Sequence, residues 1–185
     1  MRAFVLALLA IGSPAAAHFG MVIPSDTMVT QEEGREITLR FGFAHPFERE
    51  GMELVMPESV TVLHGEGTEE ITEALAPEDF YGASGFTTTY ELGRPGVYTF
   101  VMTPAPYWEP AEDTFIQHFT KTHIAAFDDD SGWDAELGLK TEIVPLTKPF
   151  GLWEGNLFQG IVKFDGEPVP FAEIEVEYYN EAGVP

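Results

Sequence analysis

Apolar and polar residues alternate along most of this chain with the period of two that marks β-strands. Ile37, Leu39, Phe41 and Phe43 fall on one face of a single run, Val60 and Val62 repeat the pattern, and the run from Val97 to Met102 is β-branched and aromatic. No helical period competes with this, and only Glu69 to Leu75 admits a helical turn. Breakers separate the runs at Glu33-Gly34, Pro46, Pro57, Gly65 to Gly67, Gly93 to Gly96, and Pro104 with Pro106. Short strands punctuated in this way predict an all-β chain, with residues 18 to about 150 forming one antiparallel β-sandwich.

From Leu157 the pattern changes to a clean hairpin. The run Phe158 to Phe164 meets the turn pair Asp165-Gly166, and Ala172 to Tyr179 is expected to return, with Ile174, Val176 and Tyr178 alternating. Asp-Gly supplies the positive φ angles that a tight two-residue turn requires. The hairpin resembles the opening of the small sandwich modules related to the carboxypeptidase regulatory domain and transthyretin. Two strands do not make such a module stable alone. Residues 151–185 are therefore expected to be an incomplete second β module, and the sequence a piece of a longer protein.

The first 17 residues follow the grammar of a cleavable export signal: Arg2, an apolar run from Phe4 to Ile11, then the small-residue exit Ala15-Ala16-Ala17. The apolar run is well short of the roughly 20 residues that span a bilayer, and no later stretch is long and apolar enough to insert. Cleavage after Ala17 leaves a working protein that begins at His18. The chain has no cysteine, so an exported form has no disulfide framework and depends on an ordinary core. Nine basic residues against 31 acidic ones, a formal charge of −22, exclude nucleic acid as a partner. The same field concentrates divalent cations near the surface.

Candidate chemistry gathers on the five histidines, 18, 45, 64, 118 and 123. His18 is the sharpest signal. At a free N-terminus it offers an imidazole and an α-amine, whose unperturbed pKa of about 7.7 to 8.0 lets it lose a proton near neutrality. His45 ends a strand, and Pro46 fixes the backbone that follows; Glu48 is placed to orient its ring. If the run Thr114 to His123 is unbroken, His118 and His123 lie on opposite faces, with His118 inward and His123 facing solvent. His64 reads as a hairpin-end residue, Tyr107 and Trp108 as core plugs with polar tips, and Asp128-Asp129-Asp130 as a solvated turn without the spacing of a calcium loop. No Gly-x-Ser-x-Gly, phosphate-cradling glycine loop or His-Glu-x-x-His motif occurs, which removes support for hydrolase chemistry. Histidine nitrogen suits Ni, Cu(II), Co or Zn better than Mg or Ca.

Three blocks carry a family resemblance: Ala17 to Ser25, Phe43 to Glu48, and Pro106 to Asp113, with further agreement over Gly138 to Leu146 and Glu175 to Tyr179. They resemble the periplasmic component of nickel/cobalt transport systems, the soluble partner of energy-coupling-factor-type permeases. The resemblance implies a non-catalytic periplasmic protein that binds Ni2+ or Co2+ and passes it to the membrane subunits of an uptake transporter. It also implies His18, His45 and His118 as metal residues, whereas His123 stands where an apolar residue is expected. Three other readings compete. One is a copper-dependent polysaccharide oxygenase with an N-terminal histidine site for Cu2+, and another a copper carrier using Met21, Met28, Met52 and Met56. The third is an adhesion-type sandwich without metal. The first expectation is directly measurable: N-terminal sequencing of the exported protein should begin at His18, and a start at Met1 would show that the leader is retained.

Overall fold

A computed structural model describes residues 18–109 and 113–183 of the 185-residue chain, so the expected export signal, residues 1–17, lies outside the described residues. The expected all-β sandwich is present. One sheet runs in the order β1 (Phe19–Pro24), β3 (Glu36–His45), β8 (Ala83–Glu91) and β7 (Ala76–Phe80), with β4 (Glu50–Met52) also on β3. The facing sheet runs β2 (Met28–Val29), β12 (Thr120–Ala126), β9 (Gly96–Thr103), β5 (Ser59–His64) and β6 (Gly67–Glu70). Ile37, Leu39 and Phe41 from one inner face meet Val60, Val62, Phe100, Met102 and Ile124 from the other in a continuous core. The helical turn expected within 69–75 is a short 3-10 turn at Thr72–Ala74.

β1 is the edge that closes the first sheet. Its inner side pairs with β3 in antiparallel register, Phe19 opposite Ala44 and Val22 opposite Phe41. Its outer carbonyls are taken by side chains of the other sheet: Thr120 Oγ1 donates to the Gly20 carbonyl at 2.7 Å and Thr122 Oγ1 to that of Val22 at 2.8 Å. Two threonines on one strand thus lace the edge of one sheet to the edge region of the other. They satisfy backbone groups that an exposed edge leaves open.

A separate hairpin of β10 (Tyr107–Glu109) and β11 (Thr114–Ile116) stands at the same end as the start of β1, and β11 is broken from β12 at residues 117–119. The C-terminal region forms a three-stranded sheet, β13 (Thr141–Pro145), β14 (Gly160–Phe164) and β15 (Glu167–Pro168). Asp165 and Gly166 take φ of 48° and 81°, the turn that the Asp-Gly pair predicts. The returning strand differs from expectation, because ladder pairing ends at Pro168 and residues 172–179 carry no ladder. The Val169 N–H still donates to the Val162 carbonyl at 2.9 Å, and Pro168 and Pro170 on either side of it offer no N–H to a strand on the outer edge of β15. The other edge of β14 pairs with β13, across its whole length.

The C-terminal sheet lies over the outer face of β12. Lys121 Nζ reaches Glu142 Oε1 at 2.6 Å, with side chains 11% and 1% exposed. The outward-facing Thr99, Val101 and His123 are buried as a result of this third layer. The lacing threonine gives a direct test: Thr122→Val leaves the Val22 carbonyl without its partner and should cost about 1 to 2 kcal/mol in urea unfolding. Thr89→Val, at an exposed position of β8, should stay within about 0.5 kcal/mol of wild type.

Candidate functional site

The register of β1 against β3 builds the site. One step beyond the Phe19–Ala44 pair, His18 comes opposite His45. Odd-numbered residues of β3 face the core, so both imidazoles project into the rim of the sandwich rather than outward. Their ring centroids are 4.0 Å apart. Phe43 forms the floor between the histidines, 5.5 Å from the ring of His18 and 5.4 Å from that of His118, with Tyr107 packed edge-on against it at 4.7 Å. Tyr107 also lies 5.8 Å from His118, so three histidines and two aromatic rings share one end of the sandwich.

His118 owes its place to the break between β11 and β12 and to Gly20. A Cβ at position 20 would lie 3.2 Å from His118 Cβ and 3.1 Å from Thr120 Oγ1, so the absence of a side chain lets the 117–119 segment settle against β1. Two ring nitrogens at this end, His18 Nδ1 and His118 Nε2, are buried and have no hydrogen-bond partner among the described residues. A buried polar atom left unpaired costs free energy and is rare in native proteins. Both rings are neutral at pH 7. His18 is held below the ordinary imidazole range by burial and by the neighbouring His45, with Glu109 and Glu50 pulling the other way; burial and His18 lower His118. Neutral imidazoles with open nitrogens are the protonation state a transition metal needs.

The three metal candidates, His18, His45 and His118, are therefore brought to one end. Among the described residues, no group of three or more His, Cys, Asp or Glu side chains is disposed to hold a metal ion; Phe43 packs against both His18 and His118. A donor set made of one residue's imidazole and α-amine plus a second imidazole needs only two side chains. Glu48 is exposed, and the carboxylate the ladder sets opposite His45 is that of Glu50. The turn after His45 is clamped by residues distant in sequence: Glu177 accepts from the Phe47 N–H at 2.9 Å, Asn180 Nδ2 donates to the Phe47 carbonyl at 3.0 Å, and the Asn180 N–H donates to the Pro46 carbonyl at 3.2 Å. No local signal in the sequence connects these segments.

Elsewhere the sequence expectations divide. His64 ends its strand as expected, stacked on Tyr98 at 4.0 Å and donating from Nε2 to the Pro95 carbonyl. Asp129 caps a turn through Ser131, and Asp130 pairs with Lys148. Tyr107 packs against the core, but Trp108 is 46% exposed and rests edge-on against Phe115. The run from Thr114 to His123 is broken at 117–119, so alternation does not set the faces of His118 and His123: His118 lies at the rim against Phe43 and Tyr107, and His123 is 8% exposed where solvent was expected. The expectation treated the outer face of the sandwich as its surface, and the C-terminal sheet covers it. His123 Nδ1 is bonded to Thr99 Oγ1 at 2.9 Å, and burial, with Lys121 nearby, depresses its pKa to about 4.

These features define an all-β sandwich with a histidine-lined rim and a further three-stranded sheet against one face. The chain belongs to the family described as a domain of unknown function, DUF4198, whose model matches residues 15–185. No curated protein and no solved structure matches it. No helix among the described residues is long and apolar enough to cross a membrane.

The buried His123 makes stability pH-dependent. Its folded pKa lies below its unfolded value, so the unfolded chain binds the extra proton between about pH 6.5 and 4. Its contribution is complete above that window and is lost as pH falls through it, by about 3 kcal/mol in all. Urea midpoints should fall over this range in the wild type and much less in His123→Asn, which can keep a hydrogen bond to Thr99; parallel profiles would remove His123 as the cause.

Proposed function

We propose that this protein binds a transition-metal ion, Ni2+ or Co2+, at the histidine-lined rim and delivers it to the membrane subunits of an uptake transporter, without catalysis. The observation that carries the reading is His18 facing His45 across the β1–β3 ladder with its Nδ1 buried and unpartnered. In a form processed to begin at His18, the α-amine of the same residue joins Nδ1 on the metal and the imidazole of His45 completes the nitrogen set. His118, with its own unpartnered Nε2, packs against Phe43 at the same rim and is the third candidate ligand. The metal is cargo here, so a shallow, nitrogen-rich site at the end of a rigid sandwich suits capture and release. The residues Glu50 and Glu109 supply negative potential at His18, and the acidity of the whole chain draws cations toward it. Periplasmic location and transporter docking follow from the export signal and the family resemblance.

One observation favours a second reading. Trp108 and Phe115 are 46% and 68% exposed on the hairpin that carries Tyr107, which gives a copper-dependent polysaccharide oxygenase an aromatic contact beside the histidines. The two rings meet edge-on at 67° and present no flat platform. Oxidation of cellulose or chitin by the Cu-loaded protein would establish that reading over transport.

Calorimetric Ni(II) titration tests the first. Protein beginning at His18 should bind one ion tightly, and one extra N-terminal alanine should abolish that binding; equal binding by both would remove the amine from the site. His45→Ala should lose about 100-fold or more, and His118→Ala about tenfold, in the range of residues that support a metal without dominating its coordination. Because the amine and imidazoles must shed protons to bind, affinity should fall steeply as pH drops through about 7.

A further inference from the structure

Behind the histidine rim, between the outer face of β12 and the C-terminal sheet, lies a cavity of about 540 Å3. Its walls are largely apolar, with Phe19, Phe119, Leu139, Ile143, Pro145 and Phe158 among them, and it is bounded by His118 at the rim and by Lys121 and Glu142. A concave, mainly apolar space of this size with a few convergent polar groups, set between two packed layers, is what small-molecule sites look like.

The donors and acceptors in it are unequally used. Glu142 is saturated: it accepts from Lys121 and from the backbone N–H groups of Leu137 at 3.0 Å, Gly138 at 3.0 Å and Leu139 at 3.4 Å. Burial raises its pKa, but these bonds more than offset that and hold it below the usual carboxylate range, so it stays ionised. Lys121 is different. Its ammonium carries three donors, and among the described residues it spends one, on Glu142. The ammonium is therefore fixed by a carboxylate that needs nothing more, almost out of solvent, with donor capacity to spare. Of the other polar side chains lining the cavity, Gln117 donates to the Pro104 carbonyl, Thr120 to the Gly20 carbonyl, and His123 is paired with Thr99. Thr141 and the open Nε2 of His118 also border the cavity, but the charged donor with capacity to spare is the Lys121 ammonium, which calls for an anionic acceptor, while the walls call for an apolar body.

We propose that this cavity binds a small organic monocarboxylate, its carboxylate on Lys121 and its hydrocarbon part against Phe119, Ile143 and Phe158. The site needs no metal and does not rest on the metal-binding reading. A carboxylate there lies next to His118, so its occupancy is placed to influence the rim.

The test uses the full chain with metal stripped by chelator, titrated calorimetrically with 3-phenylpropionate and with octanoate. At least one should bind saturably at one site, and the matching alcohol, 3-phenylpropan-1-ol or octan-1-ol, should bind about tenfold more weakly, as expected for loss of a charge-assisted hydrogen bond. Lys121→Met should weaken the carboxylate by about tenfold or more and leave the alcohol almost unchanged. Should that variant fail to fold, Ile143→Trp, a partly exposed position that fills the cavity from its wall, should abolish binding of both. Absence of saturable binding by either acid, equal affinity of acid and alcohol, or indifference to Ile143→Trp would overturn the proposal.

Discussion

The rim depends on how β1 is held. The strand is an edge, and an edge whose outer carbonyls faced only water would be free to fray at its first residues. The hydroxyls of Thr120 and Thr122 prevent this by taking two carbonyls of β1 from the opposite sheet, while β3 fixes the other side. Because register has a period of two, a one-residue slip would turn His18 away from His45 and carry Val22 out of the core. The burial of Val22 and the two threonine bonds therefore enforce the same alignment that sets the imidazoles face to face.

A second constraint acts from the outside. The C-terminal sheet converts the outer face of β12 from surface into interior, and the Lys121–Glu142 pair is the polar contact at which the two layers meet. A buried ion pair by itself is weak evidence for stability, since desolvation offsets much of the attraction. This one is supported by three backbone amides on the carboxylate, which lowers the cost of keeping it charged. The same covering buries His123 and walls one side of the open cavity, so one packing event produces the acid sensitivity, the ion pair and the concave space.

The tail adds a third hold. Glu177 and Asn180 grip the backbone of the turn at Pro46 and Phe47, directly after His45. His45 is thus fixed by β1 on one side, β4 on the other and the C-terminal segment at its turn. Such restraint suits a site whose ligands must be pre-positioned, because little ordering remains to be done when an ion arrives.

Much of this was legible in the residues, for identifiable reasons. Alternation reports which face of a strand is buried, so Ile37, Leu39, Phe41 and Phe43 showed their face, Asp165-Gly166 its turn, and His45 its position at a strand end. The sequence also singled out His18, whose chemistry depends on its place in the chain rather than on any neighbour. Tertiary structure alone decided what a two-residue period cannot encode: which strands pair, and what covers an outer face. It set β13 on the other edge of β14, and buried His123 under a third layer. It also brought Glu50 rather than Glu48 beside His45, because strand pairing and not sequence distance selects neighbours across a ladder.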